Sequence, residues 1–291
     1  MIIGAGMAGL LAGNMLRWAI QEAKESLPNN HSAVLRFRST LVGDVLGIPF
    51  REVTLLKHVL STWDNPIADA LSYSYKCTGV RRSDRSIIKR DEVAKRYIAP
   101  PDLIQRMAQR CDIIYGSRFV AALGAPFIST IPMPDLMAAL DYKPRPVFMY
   151  RPGWNITATI DDCDAYVSLL IPDEDVPIAR ISITGNQLIV ECYEEPEDTM
   201  DIAVMAADFL GIKAHNLEDI TMTNQAYGKI VPILEEERRD FIYWASTYHN
   251  IYSLGRFATW RPGLLLDDLV NDIRLIERWV NGDQYARKRL A

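Results

Sequence analysis

Several features that would settle a function quickly are scarce in this sequence. It has only four histidines, His31, His58, His215 and His249, and none stands at HxxxH or HExxH spacing. That excludes the usual metallohydrolase pattern, and no metal site is expected. The four cysteines, Cys77, Cys111, Cys163 and Cys192, form no CxxC pair. They read as buried thiols in a reducing compartment rather than a disulfide framework. There is no GxSxG and no Walker A lysine, so serine hydrolysis and P-loop phosphate transfer are unsupported. Charge of one sign is also weak: 32 Lys plus Arg against 37 Asp plus Glu leaves a net −5. A protein that coats nucleic acid by bulk charge is disfavoured, while a local basic groove stays open. No run approaches about 18 consecutive apolar residues, so no spanning helix is expected.

What remains is an ordinary globular mixture, 49% hydrophobic and 24% charged over 291 residues. Disordered and low-complexity chains do not look like this. The length suits one large α/β unit or two interleaved domains. The apolar start from Met1 to Leu16 lacks the basic region that precedes a secretory core, and carries Gly4, Gly6, Gly9 and Gly13. A soluble, cytoplasmic protein is the expectation.

Chemistry enters at that start. Met1-Ile2-Ile3 is a short strand pattern, followed by Gly4-Ala5-Gly6-Met7-Ala8-Gly9. GxGxxG between a strand and a helix is the dinucleotide fingerprint: a tight turn, backbone approach to a pyrophosphate, and close helix–strand packing. The opening helix then offers free N–H groups and its positive dipole end to phosphate. Apolar spacing from Leu10 through Ala19 and Ala23 predicts one helix up to the breaker Leu27-Pro28-Asn29-Asn30. Ala33 to Phe37 then reads as the second strand of the βαβ unit. The fingerprint expects a ribose-binding acid at the end of that strand, but Arg36, Phe37 and Arg38 stand there, and the nearest acid is Asp44. An arginine at that place could stack on adenine or meet a 2′-phosphate, which would favour NADP, or mark an unusual FAD site.

Further on, Val53 to Val59 reads as a strand, and Ile67 to Tyr75 and Asp102 to Arg110 read as helices. Arg81, Arg82, Arg85, Lys89 and Arg90 form a basic cluster, either a solvated loop or a site for an anionic substrate or DNA backbone. Ala125 to Ile131 is a buried-looking strand, with a short helix from Asp135 to Leu140. Between Trp154 and Tyr193 the pattern turns to strands, with Gly185-Asn186 as a hairpin signal. Met200 to Leu210, Glu235 to Tyr248 and Leu264 to Val280 read as helices; Ile220 to Ile230 and Ile251 to Leu254 read as strands.

The segments Ile3 to Leu10, Ile128 to Pro132 and Tyr252 to Trp260, in this order, resemble the flavin amine oxidase and UDP-galactopyranose mutase superfamily. The resemblance implies a Rossmann-like FAD-binding α/β domain carrying an inserted antiparallel β-sheet substrate domain. It places residues 1–60, 111–150 and 220–291 in the first, and 61–110 and 151–219 in the second. It implies FAD as cofactor. Gly4, Gly6, Met7, Ala8 and Gly9 would cradle the pyrophosphate, with Arg36 and Arg38 nearby. Gly255 and Arg256 would face FAD, Arg256 neutralising phosphate charge. Asp267 or Asp268 could accept a ribityl hydroxyl, or simply complement the helix dipole. Lys229 is the candidate base near the flavin and Tyr227 its candidate catalytic neighbour, Trp260 is a candidate cofactor contact, and Tyr227, Trp260 and Trp154 could wall the substrate pocket or be plain core.

The chemistry implied is hydride transfer from a C–N carbon of an amine or amino-acid-like substrate to flavin N5, with oxidase or lyase outcomes. Small flavoproteins of this kind encoded by bacteriophages act on amino-acid-modified thymine, so hypermodified DNA is one possible partner. A mutase-like isomerase, with arginines holding a nucleotide diphosphate, is the alternative. A non-catalytic flavin- or nucleotide-binding module is a third.

Overall fold

The computed structural model describes residues 1–27, 36–63, 65–82, 91–117 and 125–282. In chain order the elements are β1 (Ile2–Ile3), α1 (Met7–Leu16), β2 (Ile20–Gln21), β3 (Arg36–Phe37), α2 (Leu41–Leu46), β4 (Arg51–Val59) and α3 (Pro66–Thr78). Next come β5 (Asp91–Ile98), α4 (Leu103–Ala108), β6 (Ile113–Ile114), β7 (Phe127–Ser129), α5 (Met133–Ala139), β8 (Tyr150–Ile160) and β9 (Ala165–Leu170). The chain closes with β10 (Ile178–Gly185), β11 (Gln187–Cys192), α6 (Thr199–Phe209), β12 (Leu217–Ile230), α7 (Glu235–Tyr248), β13 (Ile251–Ser253) and α8 (Leu266–Val280).

Two sheets organise them. The first is five-stranded and parallel, in the order β13-β7-β1-β2-β6. Helices cover both of its faces, as parallel sheets require. Leu10, Leu11, Ile128, Leu103 and Ile273 form one core against α1, α4 and α8, and Phe127, Leu136, Phe241 and Trp260 form another against α5 and α7. The second sheet has eight strands, β12-β8-β11-β10-β9-β4-β5-β3, antiparallel except for the β4–β9 pair. One face carries Ile181, Ile183, Leu188 and Val190 into a core with Ile202, Ala203 and Ala206 of α6. The α/β class with an antiparallel-rich second sheet therefore matches the expectation.

The start of the chain departs from it. α1 stops at Leu16, because Arg17 turns left-handed (φ 59°) and its N–H closes on Gly13 O. After Trp18 and Ala19, Ile20 and Gln21 run out as β2, parallel to β1. Ala19 and Ala23 are therefore not helical; a short buried strand had mimicked helical spacing. The second strand of the βαβ unit is β2. β3 instead pairs antiparallel with β5 in the other sheet. The breaker at 28–30 and residues 33–35 lie outside the described residues, as do His31, Arg85, Lys89 and Arg90. β3 and β4, within the 1–60 stretch, pair in the eight-stranded sheet, and α4, within 61–110, packs on α1. Among the described residues no helix is long and apolar enough to cross a membrane, and no group of three or more His, Cys, Asp or Glu is placed to hold a metal ion.

Candidate cofactor cradle and adjoining chamber

The glycine turn is built for close approach. Gly4 sits at φ +92°, and a Cβ there would meet Thr130 Oγ1. A Cβ on Gly9 would lie 1.8 Å from Gly4 O, so this glycine lets helix and strand touch. Gly6 is different: nothing stands within 4 Å of where its Cβ would be. It is the N-cap of α1, and no side chain caps the helix. The free N–H groups of the first turn are thus left for a ligand. A cavity of about 360 Å³ opens there, lined by Gly6, Met7, Ala8, Thr130, Gln225 and Gly255 among others.

An acid does stand at the end of the second parallel strand: Glu22. It follows β2 directly; its Oε2 accepts from Ala5 N at 2.7 Å and its Oε1 from Lys24 N at 3.0 Å. It stands 22 − 4 = 18 residues beyond Gly4, close to the spacing of about 20 that the fingerprint asks for. The helical rhythm that continues past Leu16 to Ala19 and Ala23 hides it in the sequence.

Arg36 accordingly does not end the βαβ unit. Its Nη2 donates to Val167 O (2.7 Å) and Ile183 O (2.6 Å), and its Nε to Thr184 Oγ1 (3.1 Å). Burial, then the guanidinium groups of Arg180 and Arg96, pull it down to about 9, so it stays charged at neutral pH. Arg38 is exposed, and only its backbone N–H reaches Asp267 Oδ2, at 3.2 Å. Asp267 lines the cradle, but its Oδ1 holds Ser39 through N (3.0 Å) and Oγ (2.8 Å). Asp268 caps α8 by accepting from Leu265 N at 2.8 Å.

Gly255, at φ +103°, brings its backbone against Ala8, where a Cβ would approach to 3.2 Å. The last segment therefore does return beside the first turn. Arg256 lines the cradle, with Nε and Nη2 donating to Leu264 O. Trp260 does not line it. It is 1% exposed, gives its indole N–H to Val231 O at 2.8 Å, and packs edge-on to Phe148. Trp154 packs beside the α6 core of the second sheet.

A second cavity of about 670 Å³ shares Arg36, Arg256 and Leu265 with the cradle. Its described lining includes Lys57, Arg82, Arg96, Arg180 and Lys229 besides those two arginines, and no carboxylate. Glu191 stands behind, in a salt bridge with Arg180. Burial opposes the charge of both partners, yet each offsets it for the other: Glu191 is held below the usual carboxylate range and Arg180 above the usual arginine range.

Lys229 is in this chamber's wall, its Nζ 5.7 Å from the Tyr193 ring centre. Tyr227 is elsewhere. Its hydroxyl donates to Asp135 Oδ1 at 3.0 Å, and its ring meets Tyr150 at 4.6 Å. Residues two apart on a strand ordinarily share a face. Here β12 bulges between Gln225 and Lys229, where Gly228 presses on Gly153, and the register slips. Burial and the Asp135 contact raise the Tyr227 phenol. Of the basic cluster, Arg82 reaches the chamber, whereas Arg81 pairs bidentately with Glu174.

No protein-family model and no curated protein matches the chain. Solved structures do. Reduced UDP-galactopyranose mutase superposes with a TM-score of 0.72 at 13% identity, covering 100% of this chain and 96% of that one. An oxidoreductase from Methanosarcina mazei gives 0.56 at 12% identity, over 95% and 99% of the two chains. pqsL, a probable FAD-dependent monooxygenase from Pseudomonas aeruginosa, gives 0.54 at 12%, over 99% and 88%. At such identities the likeness shows the fold, which is that of FAD-binding flavoenzymes. The residues fit that cofactor: an uncapped helix start with open space at Gly6, an acid beyond β2, and the returning Gly255 segment.

Proposed function

We propose that this chain is an FAD-dependent enzyme acting at a C–N bond of an amine or amino-acid-like group, amino-acid-modified thymine in DNA being one substrate of that description. The observation that carries the reading is the continuity of the two cavities, with Lys229 in the wall of the second. Gly6, Met7, Ala8, Gly255 and Arg256 would hold the cofactor, with Glu22 at its ribose. Bound FAD would supply the hydride acceptor. The chain's own contribution is electrostatic. A chamber walled by Arg36, Arg180, Arg256 and Lys229 disfavours an ammonium ion, so an amine enters it uncharged, the form able to release hydride.

A mutase-like isomerase acting on a sugar nucleotide is the second reading. One observation favours it: arginines that form no motif in the sequence, Arg36, Arg82, Arg96 and Arg180, converge on the chamber. A nucleotide diphosphate suits such a lining.

The test is anaerobic mixing of the purified yellow protein with amines, free and DNA-linked, while flavin absorbance is followed. Bleaching is expected, with Lys229→Met slowing it by roughly tenfold or more, as loss of a positioned base does. Conversion of a sugar nucleotide only after prior reduction, with no amine bleaching the flavin, would replace the first reading by the second. A colourless protein that takes up no FAD would end both.

A further inference from the structure

The segment that returns to the cofactor cradle is held in a shape it would not keep alone. Gly255 sits at φ +103° and Trp260 at φ +48°. Glycine takes such an angle freely; a bulky aromatic residue does so only where its surroundings over-determine it, and such strain collects at functional sites. Trp260 is locked by burial and by its indole N–H on Val231 O. Between these two residues the turn closes on itself. Gly255 O accepts from Thr259 twice, from the backbone N–H at 2.9 Å and from the hydroxyl at 2.7 Å. A peptide unit is planar and trans, so an oxygen turned to Thr259 turns the Arg256 N–H of the same unit the opposite way.

Charged groups grip this turn from behind. Arg261 gives Nε to Thr259 Oγ1 at 3.3 Å and Nη2 to Asp272 Oδ2 on α8. Arg238 on α7, 7% exposed, pairs with Glu235 and gives Nη1 to Thr259 O at 3.4 Å. None of Arg238, Thr259, Arg261 and Asp272 lines the cradle or the chamber, whereas Gly255 and Arg256 line the cradle. Two paths therefore run forward from Asp272. One passes through Arg261 and Thr259 to the Gly255 carbonyl. The other passes through Arg261 O, which takes Leu264 N at 3.1 Å, to Leu264 O, which takes the Arg256 guanidinium. An apolar filling would be easier to bury. Burial raises the Asp272 carboxyl, and contact with Arg261 only partly offsets it. Buried pairs of that kind add little stability, and fixing one arrangement is the use best attested for them.

We infer that Asp272, Arg261 and Thr259 form a positioning relay for the cofactor, carrying a charged contact on α8 through to the Gly255 carbonyl and the Arg256 guanidinium. The three act through the turn and not by contact with FAD. The relay rests on FAD lying against Gly255 and Arg256, and it holds whether the chamber takes an amine or a sugar nucleotide.

FAD titration of the deflavinated protein, followed by flavin fluorescence, tests it beside thermal melts. Thr259→Val keeps the shape and deletes the hydroxyl, whereas Thr259→Ser keeps the hydroxyl. Thr259→Val should weaken FAD about fivefold, as loss of one hydrogen bond does, and change the visible circular dichroism of the flavin at saturation. Thr259→Ser should stay within about twofold of wild type. Asp272→Asn keeps the shape and removes the charge that holds Arg261, and should weaken FAD by a similar factor. Combined with Thr259→Val it should add little, because both changes cut one path, and linked contacts are non-additive where separate sites multiply. A lower melting temperature with unchanged FAD affinity would make these residues plain packing and overturn the relay. So would equal losses in Thr259→Val and Thr259→Ser, a double variant that loses the product of the single factors, or a wild-type chain that takes up no FAD. If Asp272→Asn folds poorly, the two Thr259 variants decide alone.

Discussion

The Ala5 N–H donates to Glu22 Oε2 at 2.7 Å, which ties the glycine turn to the residue just past the second parallel strand. A carboxylate fixed there keeps acceptor capacity for ribose hydroxyls, because each oxygen has two lone pairs. Glu22→Ala should therefore weaken FAD about tenfold or more, or about 1.4 kcal/mol. Glu22→Gln, which keeps one acceptor, should fall between. Fluorescence titration of the apoprotein with FAD measures both. Unchanged affinity in Glu22→Ala would move the ribose elsewhere.

Gly6 and Gly9 separate cofactor space from packing space. A side chain at Gly6 meets nothing in the protein, so Gly6→Val should fold with a near-wild-type Tm and come out colourless. A Cβ at Gly9 falls 1.8 Å from Gly4 O, so Gly9→Ala must shift backbone. Overpacking of that kind costs roughly 1–3 kcal/mol, and Tm should drop by several degrees. Visible absorbance and thermal melts on the two proteins check the contrast. A yellow Gly6→Val would put the pyrophosphate outside this turn.

Much of this was readable in the residues, and the failures share a cause. The glycine turn, the hairpin at Gly185-Asn186, and helices such as α3, α7 and α8 stand where spacing and breakers put them. Asn65 shows why α3 was legible: its side chain accepts from Ile67 N and Ala68 N, just ahead of Pro66. The end of α1 was not legible, because Ala19, Ile20 and Ala23 keep a helical rhythm across a left-handed Arg17. β5 was missed altogether. Its chamber side carries Arg96, while Val93 on the other side is 71% exposed, so the hydrophobic-in rule has nothing to find. For the same reason the cationic chamber leaves no local signature in the sequence. Lys57, Arg96 and Arg180 lie far apart in sequence and meet only through the β5–β4–β9–β10 pairing. Lys229 and Tyr227 looked like one constellation until the β12 bulge parted them.

The Arg180–Glu191 pair should show itself in acid. Burial works against the charge of Glu191, but contact with Arg180, helped by Lys229, outweighs it and depresses the carboxyl below its ordinary 4.5. A depressed acid stabilises the fold fully above its unfolded value and loses that contribution as pH falls through the native one. Glu191→Gln leaves the Arg180 charge buried and uncompensated, so at pH 7 it should cost about 3 kcal/mol. As pH drops below about 4.5, wild type gradually loses the same interaction, and the gap between the two proteins should narrow. Urea melts of both at pH 7 and near pH 3.5 give the comparison. A gap equal at the two pH values would mean that Glu191 acts there through shape and not through charge, and Arg180 would then need another residue to hold it in place.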